Sequence, residues 1–69
     1  MKGYTEFVTK SGIGFIVNCF NHILYVNQNW PDGEWSKVNI RDKRLSKRVK
    51  KTCKQGRQFN KEELMLELI

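Results

Sequence analysis

The sequence lacks the features that define membrane, secreted and disulfide-rich proteins. It has no run of about 18 apolar residues, so no membrane-spanning helix is expected. The first residues, MKGYTEFV, lack the apolar stretch and the small-residue cleavage site of a signal peptide. The two cysteines, Cys19 and Cys53, are too few for the disulfide framework of a small secreted protein. We therefore expect a cytoplasmic protein with free thiols and no membrane contact.

Groups that catalyse reactions or bind metals are also scarce. His22 is the only histidine, no G-x-S-x-G motif occurs, and the stretch SGIG lacks the Lys of a phosphate-binding loop. Cys19 and His22 have the C-x2-H spacing of half a zinc site, but Cys53 has no neighbouring ligand that would complete the other half. Cys53 stands among cations but has no identifiable base. We expect a protein that is not an enzyme and uses no metal or cofactor.

Positive charge is abundant and unevenly distributed. The chain has 69 residues, which we treat as a single domain over 1–69, and a net charge of +6. Residues 37–57 contain ten Lys or Arg against one acid, Asp42, whereas the segments on either side are slightly acidic. A concentrated positive block creates a local field that scattered charges would not create.

Residues 1–40 have the composition of a β meander. Tyr, Phe, Val, Ile, Thr and Trp dominate, and turn residues interrupt them at short intervals. The pattern predicts strands over 4–10, 14–20 and 23–30, and a fourth that follows the turn WPDGEW and ends near residue 40. A helix over 15–28 is disfavoured because β-branched and aromatic residues fill that stretch.

The turns predict which strand residues pair and therefore which face is buried. A type I turn with a G1 bulge at Gly33 pairs Trp30 with Glu34, and a two-residue turn at Asn21 and His22 sets Cys19 opposite Leu24. Side chains alternate between faces, so this pairing collects the apolar ones on one face. The expected core face is Phe15, Val17, Cys19, Leu24, Val26, Val38 and Ile40.

After residue 40 the apolar spacing changes to that of a helix. Leu45, Val49 and Cys53 recur every four residues, which is typical of a narrow apolar stripe. Asn39 is the expected N-cap and Gly56 the expected stop, so the pattern predicts a basic helix over 41–55.

A second, short helix is predicted over 60–69. In FNKEELMLELI, Asn60 and Glu63 form a capping box, while Phe59 and Leu64 occupy the positions of a hydrophobic staple. A helix of this length is not stable alone in water, so it must dock on the rest of the protein. The expected docking residues are Leu64, Met65, Leu68 and Ile69. The whole sequence thus predicts a small α+β domain with a three- to four-stranded antiparallel meander, a basic helix and a short C-terminal helix.

The basic helix is the strongest indication of function. Its cations lack the interspersed Glu residues that would reduce repulsion on an ordinary solvated face. Phosphates occur every ~1.7 Å along duplex DNA and would complement such a row. We expect a nucleic-acid partner, DNA or RNA, bound mainly through its backbone because Lys outnumbers Arg. The expected contacts are Lys37, Arg41, Lys43, Arg44, Lys47, Arg48, Lys50, Lys51 and Lys54.

The sheet face opposite the expected core allows two interpretations. Tyr25 and Trp35 are candidates for stacking on unpaired bases. The favoured interpretation is instead a second core under the C-terminal helix, because so small a protein rarely leaves a large apolar surface exposed. That core would contain Ile16, Phe20, Ile23 and Trp35.

Two other kinds of partner stay open. The protein could be an adaptor or inhibitor whose basic face docks on an acidic protein, although the cores of such interfaces are depleted in Lys. A homodimer through the apolar stripe LMLELI would double the basic surface and is compatible with either partner.

Overall fold

One antiparallel sheet of five strands, with two short helices, forms the α+β domain that the sequence predicts. In the computed structural model, which describes residues 2–38 and 43–69, the elements are β1 (Tyr4–Val8), β2 (Gly14–Val17), β3 (Ile23–Asn27), β4 (Ser36–Lys37), α1 (Lys47–Thr52), β5 (Lys54–Phe59) and α2 (Lys61–Glu67). The strand order across the sheet is β4-β3-β2-β1-β5. The first four strands form the predicted meander, and β5 returns to pair with β1.

Both faces of the sheet are covered by packed side chains. Because alternate residues of a strand point to opposite faces, Phe15 and Val17 lie on one face of β2 and Ile16 lies on the other. The first core consists of Phe7, Val17, Ile23 and Leu45, with Phe15, Val26, Val38 and Cys53 packed against them. The second core consists of Ile16, Phe59 and Leu64, with Tyr4, Tyr25, Trp35 and Leu68 packed against them. α2 therefore covers the second core, as the favoured interpretation predicted.

The connection between β2 and β3 is longer than predicted. The side-chain oxygen of Asn18 accepts hydrogen bonds from the backbone N–H groups of Phe20 and His22, and Asn21 adopts a positive φ of 63°. Cys19 consequently lies exposed in the turn, so its predicted place in the core is wrong. The predicted pairing of Cys19 with Leu24 would set Val26 opposite Val17, whereas Val26 pairs with Phe15. This shift of two residues leaves Phe15 and Val26 on the predicted face.

A local irregularity in the same pair of strands moves one residue to the other core. Ile16 pairs with Tyr25, but the next residue, Val17, pairs with Ile23. This bulge places Ile23 on the same face as Val17. Ile23 therefore belongs to the first core, and its predicted position in the second core is wrong.

The WPDGEW turn is also wider than predicted. Val26 pairs with Ser36, and the side chain of Asn27, which is buried, donates to the carbonyl of Gly33 at 3.0 Å. The Trp30–Pro31 peptide bond is cis. Gly33 does not have a positive φ, so the predicted G1 bulge is wrong; a Cβ there would collide with the Asn27 side chain. Gly33 thus provides space for Asn27.

The first helix is much shorter than the predicted span of 41–55. α1 begins after Ser46, whose hydroxyl accepts the N–H of Val49 at 3.1 Å, and ends at Thr52. Residues 43–45 instead pair with residues 21–23: Lys43 and Asn21 carbonyls accept the N–H groups of Ile23 and Leu45. The expected N-cap, Asn39, and the expected core residue Ile40 lie outside the described residues.

Strand β5 replaces the predicted end of that helix. It pairs with β1 over Lys54–Phe59, so Gly56 lies inside a strand and does not stop a helix. The segment KQGRQF has one large apolar residue and no alternating pattern, which explains why its sequence does not predict a strand. The edge of β1 supplies the hydrogen-bond partners that make residues 54–59 a strand.

A buried carboxylate holds β5 in place. Glu6 is only 1% exposed, and its Oε2 accepts hydrogen bonds from Trp30 Nε1 at 3.2 Å and Arg57 Nη2 at 3.1 Å. Arg57 also pairs with Glu67 at 2.7 Å, which links β5 to α2. A Cβ at Gly56 would lie 2.5 Å from Glu6 Oε1, so this position has room only for glycine.

The C-terminal helix has the predicted cap. The Asn60 side chain accepts the N–H of Glu63, and the Glu63 side chain accepts the N–H of Asn60, which confirms the capping box. Leu64 and Leu68 dock on the sheet as predicted. Met65 and Ile69 are exposed, so their predicted docking is wrong; α2 ends at Glu67, before Ile69.

Candidate nucleic-acid interface

The predicted cations lie on three consecutive elements instead of one long helix. We call residues 43–54 the basic segment. Lys43 and Arg44 precede α1 in extended structure, Lys54 opens β5, and α1 itself spans only about 9 Å. The remaining cations of the segment, Lys47, Arg48, Lys50 and Lys51, lie on α1. The expectation of one straight cationic row is therefore wrong, and Arg41 lies outside the described residues.

Six of the seven cations in the basic segment are exposed to solvent. They are Lys43, Arg44, Lys47, Arg48, Lys51 and Lys54. Lys50 differs because its Nζ donates to Asn21 Oδ1 at 3.1 Å and lies 5.1 Å from the ring centroid of Phe7. Lys50 thus attaches α1 to the β2–β3 turn and to the first core, and its charge is partly engaged there.

Three acidic side chains, Glu6, Glu63 and Glu67, are paired with cations outside the basic segment. Within residues 2–38 and 43–69, the ion pairs are Lys2–Glu63, Arg57–Glu6 and Arg57–Glu67, and none uses a cation of the basic segment. The hydrogen bond from Lys2, together with the backbone N–H of Asn60, lowers the pKa of Glu63. The hydrogen bonds from Arg57 lower the pKa of Glu67, and the hydrogen bonds to Glu67 and Glu6 raise the pKa of Arg57. The cations of the basic segment therefore form no ion pair with these three acids.

An open groove runs beside the helix of the basic segment. It has a volume of ≈ 340 Å³, and Phe7 and Cys53 contribute apolar surface to it. The other lining residues are Lys47, Lys50, Lys51 and Gln55. A groove with apolar walls and three ammonium groups fits an anionic ligand that also has apolar surface.

The turn between β2 and β3 contributes residues that the sequence analysis did not assign to the interface. Phe20 is 68% exposed, so its predicted place in the second core is wrong. Its ring lies 6.3 Å from the ring of His22, and His22 Nε2 accepts a hydrogen bond from Arg44 Nε at 3.0 Å. The two asparagines that bracket Phe20 in the sequence, Asn18 and Asn21, are turn formers and would have indicated its position at the tip.

The remaining predicted site residues lie on the other side of the sheet. Tyr25 and Trp35 are half-buried against the second core, below α2. Lys37 pairs with Tyr25 across β3 and β4, so the two side chains share a face. The sheet thus separates Tyr25, Trp35 and Lys37 from the first core, which α1 contacts through Lys50 and Phe7.

The candidate metal ligands do not form a cluster in the described part of the chain. Among residues 2–38 and 43–69, no group of three or more His, Cys, Asp or Glu side chains is close enough to hold a metal ion. Cys19 and Cys53 are free, and His22 is bonded to Arg44. No helix of the described residues is long and apolar enough to cross a membrane.

Known proteins provide no further guide to this surface. The chain was compared with protein-family models, curated proteins and solved structures, and none of them matches it. The function is therefore argued from the charge, exposure and contacts described above.

Proposed function

We propose that this protein is a small accessory or regulatory factor that binds nucleic acid through the basic segment. The observation that carries the proposal is the segregation of charge: seven cations and no acid occur in residues 43–55. None of the ion pairs among the described residues includes one of these cations. A polyanion would relieve their mutual repulsion and release its own counterions into solution.

The phosphate backbone is the main ligand in this proposal. Lys43, Lys47, Lys51 and Lys54 act as point charges, whereas Arg44 and Arg48 donate in a fork that matches phosphate oxygens. Arg41 extends the same set along the sequence. Lys37, Tyr25 and Trp35 are left out of the primary interface because they lie on the face that α2 covers.

Salt dependence of binding provides the decisive test. The wild-type protein is titrated against single-stranded DNA, duplex DNA and duplex RNA between about 50 and 200 mM salt. If six phosphates are contacted, the logarithm of the affinity falls with the logarithm of salt with a slope of about −5 on duplex DNA. No binding to any of these probes at the lowest salt would overturn the proposal and would favour an acidic protein partner.

A matched pair of variants locates the binding surface. Lys47→Gln/Lys51→Gln removes two exposed charges from α1, and Lys2→Gln/Lys61→Gln removes two from outside the basic segment. We expect the first variant to lose roughly two units of salt slope and at least about tenfold in affinity, and the second to bind like the wild type. Equal losses in both variants would contradict a role for the basic segment.

The compartment and the oligomeric state are part of the same proposal. Both cysteines are free thiols, which is typical of a reducing compartment, and we place the function in the cytoplasm. Met65, Leu66 and Ile69 are exposed apolar residues at the C-terminal end, and they support a homodimer through this surface. Such a dimer would carry two basic segments.

A further inference from the structure

The turn that carries Phe20 is held in one conformation by its own hydrogen bonds. Asn18 Oδ1 accepts the N–H groups of Phe20 at 2.9 Å and His22 at 3.0 Å. The Asn18 carbonyl also accepts the N–H of Asn21 at 3.0 Å. A large aromatic ring is therefore presented to solvent on a turn with a defined backbone, which reduces the entropy lost when a ligand binds it.

The same turn is attached to the basic segment at two points. Arg44 donates to the ring of His22, and Lys50 donates to the side chain of Asn21. The backbone of residues 43–45 pairs with residues 21–23, which holds Arg44 directly opposite His22. Arg44 and Lys50 are thus bonded to His22 and Asn21, the two residues that follow Phe20 in the turn.

An aromatic ring next to cations suits an unpaired nucleobase better than a duplex. Every base has a flat π face that stacks on an aromatic side chain, but bases inside a duplex are already stacked on one another. Arg44 donates to His22 through Nε, which leaves its Nη1 and Nη2 groups to donate to a phosphate next to the stacked base.

We propose that Phe20 is a stacking site for an unpaired base of single-stranded nucleic acid, with Arg44 binding the adjacent phosphate. This inference rests on the proposed function and adds the class of ligand to it. The basic segment binds the backbone of any strand, whereas Phe20 discriminates in favour of strands with accessible bases.

Three probes separate stacking from charge. They are an oligothymidine of about 12 nucleotides, a duplex of the same length, and an abasic oligonucleotide that keeps the sugar-phosphate backbone but has no bases. Phe20→Ala should weaken binding of oligothymidine about tenfold and leave binding of the duplex and the abasic strand unchanged. Phe20→Tyr keeps an aromatic ring and should bind all three probes like the wild type.

Controls distinguish this inference from the proposed function. Gln28→Ala removes an exposed side chain from outside the turn, the basic segment and the C-terminal apolar surface and should change no affinity, and circular dichroism checks that Phe20→Ala is folded. One outcome would overturn the stacking site alone: the wild type binds these probes, Lys47→Gln/Lys51→Gln lowers the affinity, but Phe20→Ala lowers the affinity for no probe or for all three equally. The proposed function would then stand. If the wild type binds none of the probes, both fail.

Discussion

At the scale of single residues, the carboxylate of Glu6 joins three distant parts of the chain. It accepts hydrogen bonds from Trp30 in the β3–β4 connection and from Arg57 on β5, and Arg57 continues to Glu67 on α2. Burying a carboxylate costs free energy unless it is paired and hydrogen-bonded, and Glu6 has both kinds of partner. One buried acid therefore fixes the position of an edge strand and a helix relative to β1.

We predict that substitutions at Glu6 and at Arg57 lower the free energy of unfolding by different amounts. Arg57→Met leaves a buried carboxylate without its cation and should lower the free energy of unfolding by about 2 kcal/mol, a value reduced because the Arg57 side chain is 54% exposed. Glu6→Gln keeps an oxygen for Trp30 and Arg57 and should cost about 1 kcal/mol. Urea unfolding measures both.

The double variant Glu6→Gln/Arg57→Met provides the control for that prediction. With no buried charge left, it should be more stable than Arg57→Met alone. If Glu6→Gln lost more stability than Arg57→Met, the buried carboxylate would not need Arg57 to offset the cost of its burial.

At the scale of elements, both helices are too short to be stable without caps and docking. α1 has six residues, with a cap at Ser46, and α2 has seven, with a capping box. The like charges at four-residue spacing in the basic segment disfavour a longer α1, and pairing with β1 draws residues from Lys54 onward into β5. The length of each helix thus follows from its cap at one end and its tertiary contacts at the other.

The capping box of α2 leads to a second stability prediction. Asn60→Ala removes the acceptor for the Glu63 N–H and should lower the free energy of unfolding by about 1 kcal/mol. Asn60→Asp keeps an acceptor and adds a favourable charge at the N-terminus of the helix, so it should be as stable as the wild type. Thermal unfolding followed by circular dichroism compares the three proteins, and equal losses in both variants would rule out the capping role.

At the scale of the whole molecule, the surface is divided between charge and apolar groups. The basic segment lies by the first core, and the exposed apolar residues Met65, Leu66 and Ile69 are at the C-terminal end. Leu66 is 72% exposed and Ile69 is 98% exposed. This division allows one surface to associate with a second copy while the other binds a polyanion.

We predict that the C-terminal apolar surface forms a dimer. Wild-type protein should sediment as a dimer at equilibrium, and Leu66→Ser/Ile69→Ser should sediment as a monomer because the apolar area buried between copies is lost. Val49→Ser changes an exposed apolar residue on α1 and should remain dimeric. A monomeric wild type at high concentration would contradict the prediction.

Local chemistry along the sequence was sufficient for the meander, for the capped C-terminal helix and for the concentration of positive charge. Each depends on residues a few positions apart: turn formers between β-branched runs, Asn60 with Glu63, and cations without acids. The shifts of two residues in strand pairing kept Val26 on its predicted face because side chains alternate with a period of two.

Only the tertiary structure decided β5, the short α1, the burial of Glu6 and the exposure of Phe20. The strand β5 forms because β1, about fifty residues earlier, offers an edge with unpaired backbone groups. Glu6 is buried because Arg57 and Trp30 reach it from distant positions, and Phe20 is exposed because Asn18 widens the turn. Contacts between residues far apart in the chain set these features, so spacing within a short stretch of sequence does not predict them.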